Sequence, residues 1–304
     1  MGDIDGLDDA LLDSIPELAG PRLIEALPGG LTNRNYKVVT AAGSYVVRLS
    51  SADADLLAID RDHEYQNSVI AAESGIGAPV IAYRPAAHLM VVGYLAGQTF
   101  TDSSFSTPGN VARVAQACRK LHGGRRFVND FNMFAIQRGY LAIVQQRGFR
   151  LPTDYLSFEP EVEQIRRALA VRDEGTVACN NDLLAGNFVD AGGQLWLIDY
   201  EYAGNNDPCF ELGNIWSECH LSLDQLEELI TCYYGRPLRN KLARAQLQGL
   251  MSRYGWTLWA SIQQSSSALD FDFWSWGMQK YDAAVATFRG PDLQRLLADV
   301  ARSD

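Results

Sequence analysis

The stretch CNNDLLAGNF, residues 179–188, carries an aspartate, Asp182, five positions before an asparagine, Asn187. The next apolar run, LWLIDYEYAG (residues 195–204), contains a second aspartate, Asp199. Phosphoryl transfer needs a side chain that orients or accepts the proton of the attacking group, and oxygen ligands that hold Mg²⁺ against the phosphates. The spacing D-x-x-x-x-N often arises by chance, and the alternative is a pair of turn residues before a surface strand. The strand pattern on both sides of the loop favours a metal–phosphate site.

The composition is that of a globular protein with an acidic surface. The chain has 304 residues, 47% of them hydrophobic and 21% charged, and a formal net charge of −11. This charge argues against non-specific binding of nucleic acid or anionic membranes, and it suits a small cationic substrate. No run approaches eighteen apolar residues, and the acidic N-terminus lacks the basic region of a secretory signal. Five cysteines without a CxxC pair predict no disulfide framework and no zinc site, and they fit the cytoplasm.

The first third of the chain is rich in strand patterns. A short helical segment is expected over residues 8–26, followed by two strands within residues 27–50, where YKVV and YVVRL are β-branched and aromatic. A helix is expected from about residue 60 to residue 74, followed by two further strands in PVIAYRP and HLMVVGYL.

From residue 107 onwards the pattern becomes helical. Helices are expected in VARVAQACRKLHGG and over residues 132–149 and 158–172, and two short strands flank the turn at residues 191–193. The change of pattern near Gly97 predicts two lobes with an α+β architecture: residues 1–96, which are strand-rich, and residues 97–304, which are larger and mainly helical.

A glycine-rich turn precedes the first strong strand. Gly29 and Gly30 lack a Cβ atom and can bring backbone N–H groups close to phosphates, and Thr32 and Asn33 add a hydroxyl and an amide nearby. The match to G-x-G-x-x-G is poor, so the alternative is an ordinary hairpin turn. We expect this segment to contact a nucleotide.

One cation lies inside an apolar strand. Arg48 belongs to YVVRL, where an unpaired charge would be costly to bury, and Glu64 on the following helix is its natural partner. A guanidinium can bridge a carboxylate and a phosphate. The alternative is an edge arginine that points to solvent, and the strand–helix order favours the paired arrangement.

Tryptophans recur near the end of the chain. Trp256 and Trp259 are three residues apart and therefore share one helix face. They are candidates for the core, but a cleft lined by aromatic rings would also bind a quaternary ammonium group. The segment WSECH adds Trp216 and Glu218, the second of which is a candidate countercharge.

Taken in order, these segments resemble the choline/ethanolamine kinase branch of the aminoglycoside phosphotransferase superfamily. The resemblance spans roughly residues 27–282 and implies a two-lobed protein-kinase-like fold that binds ATP and Mg²⁺ in the cleft between its lobes. The segments that carry it are GGLTNRNYKV, YVVRL, RDHEYQN, LHGG, FNMF, NNDLLAGNF, LIDYEYAGNNDPCFELGN and WTLWASIQQ.

The resemblance also implies roles for single residues. Asp182 would be the catalytic base, Asn187 and Asp199 the Mg²⁺ ligands, and Arg48 with Glu64 the pair that holds the phosphates. The remaining implied positions are an adenine hinge at Gly93, Tyr94 and Leu95, an aromatic cage for the ammonium group at Tyr202, Trp256 and Trp259, and an acidic position at Glu201.

One position departs from the family pattern. Asn180 stands where the family has histidine, which in protein-kinase-like folds supports the loop and is not the base. An amide can donate and accept hydrogen bonds, so we expect the support to persist. The resemblance therefore implies an ATP-dependent kinase of a small amino alcohol, choline foremost. The alternatives are ethanolamine, thiamine, an aminoglycoside or a sugar as acceptor, or a catalytically silent nucleotide-binding protein. The oligomeric state is not predicted.

Overall fold

The computed structural model describes residues 7–28, 30, 32–50 and 56–303. Its N-terminal part is built on an antiparallel sheet with the strand order β1-β2-β3-β5-β4. The strands are β1 Leu23–Leu27, β2 Asn33–Thr40, β3 Gly43–Ser50, β4 Val80–Arg84 and β5 Leu89–Gly93.

Alternation of apolar side chains gives this sheet one buried face. Val38 on β2 and Val47 on β3 are fully buried, and the short helix α1 (Asp9–Asp13) packs Leu12 against the same cluster. The expectation of a helix over residues 8–26 was therefore wrong in its second half. Pro16, Gly20 and Pro21 interrupt the helix, and pairing with β2 stabilises residues 23–27 as an edge strand.

Helix α2 (Arg61–Glu73) connects β3 to β4 and lies close to the range predicted for it. The side chain of Asp60 caps it by accepting hydrogen bonds from the backbone N–H groups of Asp62 and His63. The buried side of this helix carries a carboxylate, Glu64, and so places it next to β3.

The rest of the described chain is mainly helical, as the sequence predicts. The strands are β6 Gln98–Thr99, β7 Val177–Cys179, β8 Phe188–Ala191, β9 Gln194–Leu197 and β10 Gly204–Asn206. The helices are α3 Asn110–His122, α4 Met133–Arg147, α5 Glu159–Ala170, α6 Pro208–Glu218, α7 Leu223–Tyr234, α8 Arg239–Ser266, α9 Phe273–Phe288 and α10 Asp292–Val300.

Helix α8 is the axis of this part. It is 28 residues long and buried along most of its length, because α4, α6, α9 and α10 pack around it. A second core cluster joins α3, α6 and α7 to β8 and β9. These two clusters fix α6, α8 and α9 around the loop that follows β7.

Two small sheets hold the loops that carry the candidate residues. Strand β7 pairs with β10, and β8 lies between β6 and β9. Residues 180–187 therefore leave one small sheet and enter the other, while residues 198–203 return. No helix among the described residues is long and apolar enough to cross a membrane. The lobe boundary after residue 96 stays a prediction.

Candidate active site

The loop after β7 is held by a buried carboxylate from α6. Glu211 is fully buried and accepts hydrogen bonds from the backbone N–H groups of Asn180 (3.1 Å) and Asn181 (2.6 Å). His122 contacts the same carboxylate at 3.2 Å. Asn181 adopts a positive φ of 69°, a conformation that asparagine tolerates better than most residues. The loop thus begins with a fixed backbone.

The side chain of Asn180 joins the loop to the segment that follows β9. Its Oδ1 accepts a hydrogen bond from the N–H of Asp182 at 3.0 Å. Its Nδ2 donates to the carbonyl groups of Ile198 (3.2 Å) and Asp199 (2.8 Å). The amide therefore supports both aspartates at once, which is the structural role expected for it.

Asp182 lies in an environment that favours its protonated form. Burial raises the pKa of its carboxyl group well above the usual value, and the negative charges of Asp199, Glu201 and Glu218 add to the effect. The ammonium group of Lys280 acts in the opposite direction. A carboxylate with a raised pKa is suited to accept a proton.

Asn187 is oriented by the same loop. Its Nδ2 donates to the backbone carbonyl of Asp182 at 2.7 Å. The side-chain oxygen accepts no hydrogen bond from a described residue, so it is available to a cation. Both predicted partners of Asp182, Asn187 and Asp199, are thus brought next to it.

Three carboxylates crowd together beside this loop. One oxygen each of Glu64, Asp199 and Glu201 lies within 4.8 Å of the others. Burial, and after it the charge of Glu201, raises the pKa of Asp199 to about 6, and Asp199 adopts a positive φ of 62°. Such crowding of like charges fits a divalent cation, which prefers carboxylate and amide oxygens.

Two arginines compensate part of this negative charge. Arg48 forms the expected ion pair with Glu64, and its Nη1 lies 3.3 Å from Asp199. Burial lowers the pKa of Arg48, opposed by Asp199 and Glu201. Arg61, which the sequence analysis missed, bridges Glu64 (2.7 Å) and Glu201 (3.2 Å). Its position three residues before Glu64 on one helix face was the available signal.

The glycine-rich segment reaches across to Glu201. The hydroxyl of Thr32 and the amide of Asn33 donate to that carboxylate at 2.9 Å and 3.0 Å. Gly30 has a positive φ of 97°, which glycine adopts without strain. Gly29 lies outside the described residues. The predicted phosphate contacts of this segment stay predictions, because in the structure both side chains bind Glu201.

The predicted hinge, which follows β5, contains one backbone N–H group that makes no hydrogen bond to a described residue. The backbone N–H of Gly93 donates to Pro79 at 2.8 Å and that of Tyr94 donates to Ser44 at 3.0 Å. The N–H of Leu95 has no partner among the described residues. It is therefore the hinge donor that remains for a ligand.

The three predicted cage residues pack against one another. The indole Nε1 of Trp259 donates to the hydroxyl of Tyr202 at 2.8 Å, and the rings of Tyr202 and Trp256 lie 4.9 Å apart. All three are buried. Trp259 also contacts the ring of Trp276 on α9 at 5.5 Å, a residue that the sequence analysis did not single out.

Trp276 also lines a cavity of about 530 Å³. The cavity is further lined by Leu184, Ala185 and Gly186, which lie two to four residues after Asp182, and by side chains of α6, α8 and α9. Glu218, predicted as a countercharge, lies in its wall and is ion-paired with Lys280. The ammonium group of Lys280 lies 4.1 Å from the centre of the Trp276 ring. The cavity thus places a carboxylate and an aromatic face next to the candidate base.

The structure places the two predicted residues of α6 in different surroundings. Glu218 lines the cavity, whereas the ring of Trp216 lies against the guanidinium of Arg253, at 4.5 Å, and does not line it. Both assignments to the substrate site stay predictions. Lys280 and Arg253 were missed because each is a single cation in a helix whose partner lies far away in the sequence. The missed Glu211 carried a signal, since a carboxylate within the apolar run PCFELGNIW must be buried and paired.

Comparison with known proteins adds evidence that is independent of the site geometry. Residues 24–233 match the sequence profile of the choline/ethanolamine kinase family. The crystal structure of a choline/ethanolamine kinase family protein from Mesorhizobium loti is 34% identical, covers 96% of this chain and 97% of its own, and has a TM-score of 0.83. A probable ethanolamine kinase from Arabidopsis thaliana is 25% identical over 85% of this chain and 78% of its own length. The choline kinase LicA from Streptococcus pneumoniae shares the fold with a TM-score of 0.77 at 23% identity, covering 95% of this chain and 98% of its own.

Proposed function

The chain belongs to the choline/ethanolamine kinase family of small-molecule kinases, and from this premise we propose that it phosphorylates choline with MgATP. The observation that carries the proposal is that the side chain of Asn180 joins Asp182 to Asp199, while Asn187 binds the backbone carbonyl of Asp182. The hydroxyl oxygen of the acceptor forms a bond to the γ-phosphorus of ATP, and the bond from that phosphorus to the oxygen of the departing ADP breaks. The hydroxyl proton passes to Asp182.

Asp182 is suited to this role by its surroundings. Its backbone is fixed on one side by Asn180 and on the other by Asn187, so the carboxylate has a defined position. Burial and the neighbouring negative charges raise its pKa, which increases its affinity for the hydroxyl proton.

The chain also offers a set of ligands for Mg²⁺. Asn187 presents an amide oxygen without a donor partner among the described residues, and Asp199 lies in the crowded carboxylate cluster. These two residues would hold the metal ion, which when bound neutralises charge on the phosphates. Among the described residues, Arg48, which is paired with Glu64, is the one cation within 4.0 Å of Asp199, and it would bind phosphate oxygens. The hinge N–H of Leu95 would bind the adenine.

The acceptor would bind in the cavity, against the ring of Trp276. Trp276 faces an ammonium group already, that of Lys280 at 4.1 Å, and Trp259 lies beside Trp276. Aromatic faces attract cations, including quaternary ammonium groups, and Glu218 adds a negative charge. A choline bound here would direct its hydroxyl group towards Asp182.

Ethanolamine is the second candidate, because of one further observation. Oε1 of Glu218 is buried and has no hydrogen-bond partner among the described residues. A primary ammonium group can donate to this oxygen, whereas the quaternary nitrogen of choline carries no N–H. Glu218 and Trp276 already hold one primary ammonium, that of Lys280.

The test is a panel of acceptors assayed for ADP release with MgATP. The panel contains choline, ethanolamine, thiamine, an aminoglycoside and a sugar, and the phosphorylated product is identified by ³¹P NMR. We expect turnover of an amino alcohol, and Asp182→Asn to remove it while calorimetry still detects ATP binding. Binding of ATP without turnover of any acceptor would instead support the catalytically silent alternative, and turnover by Asp182→Asn would remove Asp182 as the base.

A further inference from the structure

The cavity beside the candidate base has more room and more charge than choline requires. Its volume of about 530 Å³ lies within the roughly 300–1,000 Å³ typical of sites for larger small molecules. Five titratable side chains line it, all of them in the described part of the chain: Asp102, Glu218, His220, Arg253 and Lys280.

Four of these five side chains form two pairs. Glu218 is paired with Lys280 deep in the cavity, where the Glu218 side chain is 4% exposed. Asp102 contacts His220 at 3.0 Å at the exposed rim. Arg253 remains, since no carboxylate of a described residue lies within 4.0 Å of its guanidinium.

The guanidinium of Arg253 is held in place, but not all of its N–H groups make hydrogen bonds to described residues. Its Nε donates to the hydroxyl of Ser217 at 2.9 Å, and its plane lies 4.5 Å from the centre of the Trp216 ring. Its two terminal nitrogens have no acceptor among the described residues. Burial lowers the pKa of Arg253, which reflects the cost of desolvating a cation that no anion fully compensates. A fixed guanidinium with free terminal N–H groups is the geometry that binds a carboxylate in bidentate fashion.

We propose that the acceptor of this kinase carries a carboxylate in addition to its hydroxyl and ammonium groups, and that Arg253 binds this carboxylate. The inference rests on one part of the proposed function, the transfer of phosphate from MgATP to the hydroxyl group of an ammonium-bearing acceptor, and it replaces choline as the preferred acceptor with a hydroxylated amino acid or betaine. A monoanion suits the cavity better than a phosphate dianion, because Glu218 and Asp102 also line it. The ammonium group would meet Glu218 and Trp276, and Arg253 would bind the carboxylate.

This arrangement leaves the chemical step unchanged. Leu184, Ala185 and Gly186 line the same cavity and lie two to four residues after Asp182, so a bound acceptor would direct its hydroxyl group towards the base. The hydroxyl oxygen still attacks the γ-phosphorus, ADP still departs, and the proton still passes to Asp182. Arg253 is a residue that determines specificity.

The experiment compares acceptors that differ by one carboxylate-bearing substituent. Ethanolamine is paired with serine, and choline with carnitine, which is choline with a carboxymethyl group on the hydroxyl-bearing carbon. The quantity measured is the ratio of kcat/KM for the carboxylated acceptor to kcat/KM for its partner. We expect the better of the two ratios to be about tenfold or more in the unmodified protein, and to fall by about 10- to 100-fold in Arg253→Gln, because hydrogen bonds to a charged group are lost.

Arg289→Gln is the matched control. Arg289 also lies over an aromatic ring, that of Phe158 at 5.2 Å, but it pairs with Asp154 and does not line the cavity. Its ratios should equal those of the unmodified protein, and melting temperatures show whether each variant is folded. Ratios of kcat/KM below one, or ratios unchanged in Arg253→Gln, would overturn the role of Arg253. Turnover of choline or ethanolamine in that case would still support the proposed function. Absence of turnover with all four acceptors would overturn both.

Discussion

At the scale of single residues, the side-chain amide of Asn180 supports the loop at a position where the resemblance to the family implies a histidine. It uses its oxygen for the N–H of Asp182 and its nitrogen for the carbonyl groups of Ile198 and Asp199. An imidazole also has one acceptor and one donor nitrogen when neutral. Asn180→His is therefore expected to keep activity, because the same two segments can remain joined.

The hydrogen bonds donated by Nδ2 of Asn180 can be tested separately. Asn180→Asp keeps the acceptor oxygen but places a carboxylate oxygen against two carbonyl groups, so the segment that carries Asp199 loses its support. We expect kcat to fall by about 10- to 100-fold with no comparable change in the KM for ATP. The measurement is ADP release at saturating substrates.

Asn110→Asp is the control for that variant, because it removes a similar amide donor, to the carbonyl of Ser104 at 2.9 Å, on α3. Its kcat should stay within about twofold of the unmodified value, since surface substitutions are usually nearly neutral. Equal losses in both variants would show that Asn180 acts on general stability and not on the loop.

At the scale of elements, the crossing of α6 and α8 positions the cavity wall. Gly213 on α6 and Gly249 on α8 touch, and a Cβ atom on Gly213 would lie 2.1 Å from the carbonyl oxygen of Ala245. This close approach sets the distance between Glu218 at the end of α6 and Arg253 on α8. Periodicity predicted both helices, but two glycines far apart in the sequence gave no signal that they meet.

Gly213→Ala is expected to destabilise the protein by about 1–3 kcal/mol, because the backbone of α8 must move away from α6. Gly139→Ala is the matched control. Gly139 is exposed within α4, a Cβ atom there meets nothing within 4 Å, and alanine favours a helix. It should therefore gain about 0.5–1 kcal/mol. Chemical denaturation of both variants measures the difference, and equal stability of the two would refute the packing argument.

At the scale of the whole molecule, the sheet-bearing part and the helical part meet through polar contacts around α2. Asn67 on α2 donates to the side chain of Asn129 at 2.8 Å and to the carbonyl of Ala203 at 3.0 Å. Arg61, at the start of the same helix, bridges Glu64 and Glu201. One helix of the N-terminal part thus carries contacts to the loops that hold the candidate metal ligands.

Removing Arg61 tests how much this junction depends on charge balance. Arg61→Met leaves two buried carboxylates, Glu64 and Glu201, with less compensation, and we expect the free energy of unfolding to fall by about 3 kcal/mol. Arg166→Met is the control, because Arg166 pairs with Glu163 on an exposed surface, where solvent screens an ion pair and its loss changes stability little. Denaturation of both variants without added metal is the measurement, and an equal effect would mean that the junction is held by other contacts.

The order of local motifs was enough to predict the architecture and the family, because spacings such as that of Asp182 and Asn187 are short and each lies in a recognisable loop. The strand Leu23–Leu27 could not be predicted, since its stability comes from pairing with β2. The same reason hid Arg253 and Lys280, because their partners lie on other helices and a single cation in a helix carries no sign of them. For Arg61 the spacing to Glu64 was a signal, but the contact to Glu201 was not predictable.

The carboxylate cluster makes a last prediction about the molecule as a whole. Glu64 comes from the N-terminal part and Asp199 and Glu201 from the helical part, so a cation held by Asn187 and Asp199 would reduce the repulsion among carboxylates of both parts and raise the melting temperature by mass action. We expect Mg²⁺ alone to raise the melting temperature and EDTA to reverse the rise.

The pH dependence of this rise follows from Asp199. Because burial raises the pKa of Asp199 to about 6, the carboxyl group is protonated below that pH and cannot bind the metal. The Mg²⁺-dependent rise should therefore grow between about pH 5 and pH 7. Asp199→Asn should abolish the Mg²⁺-dependent rise in melting temperature. Asp190→Asn is the control and should keep the rise, because Asp190 pairs with Arg113 outside the cluster. A rise that persists in Asp199→Asn would place the metal elsewhere.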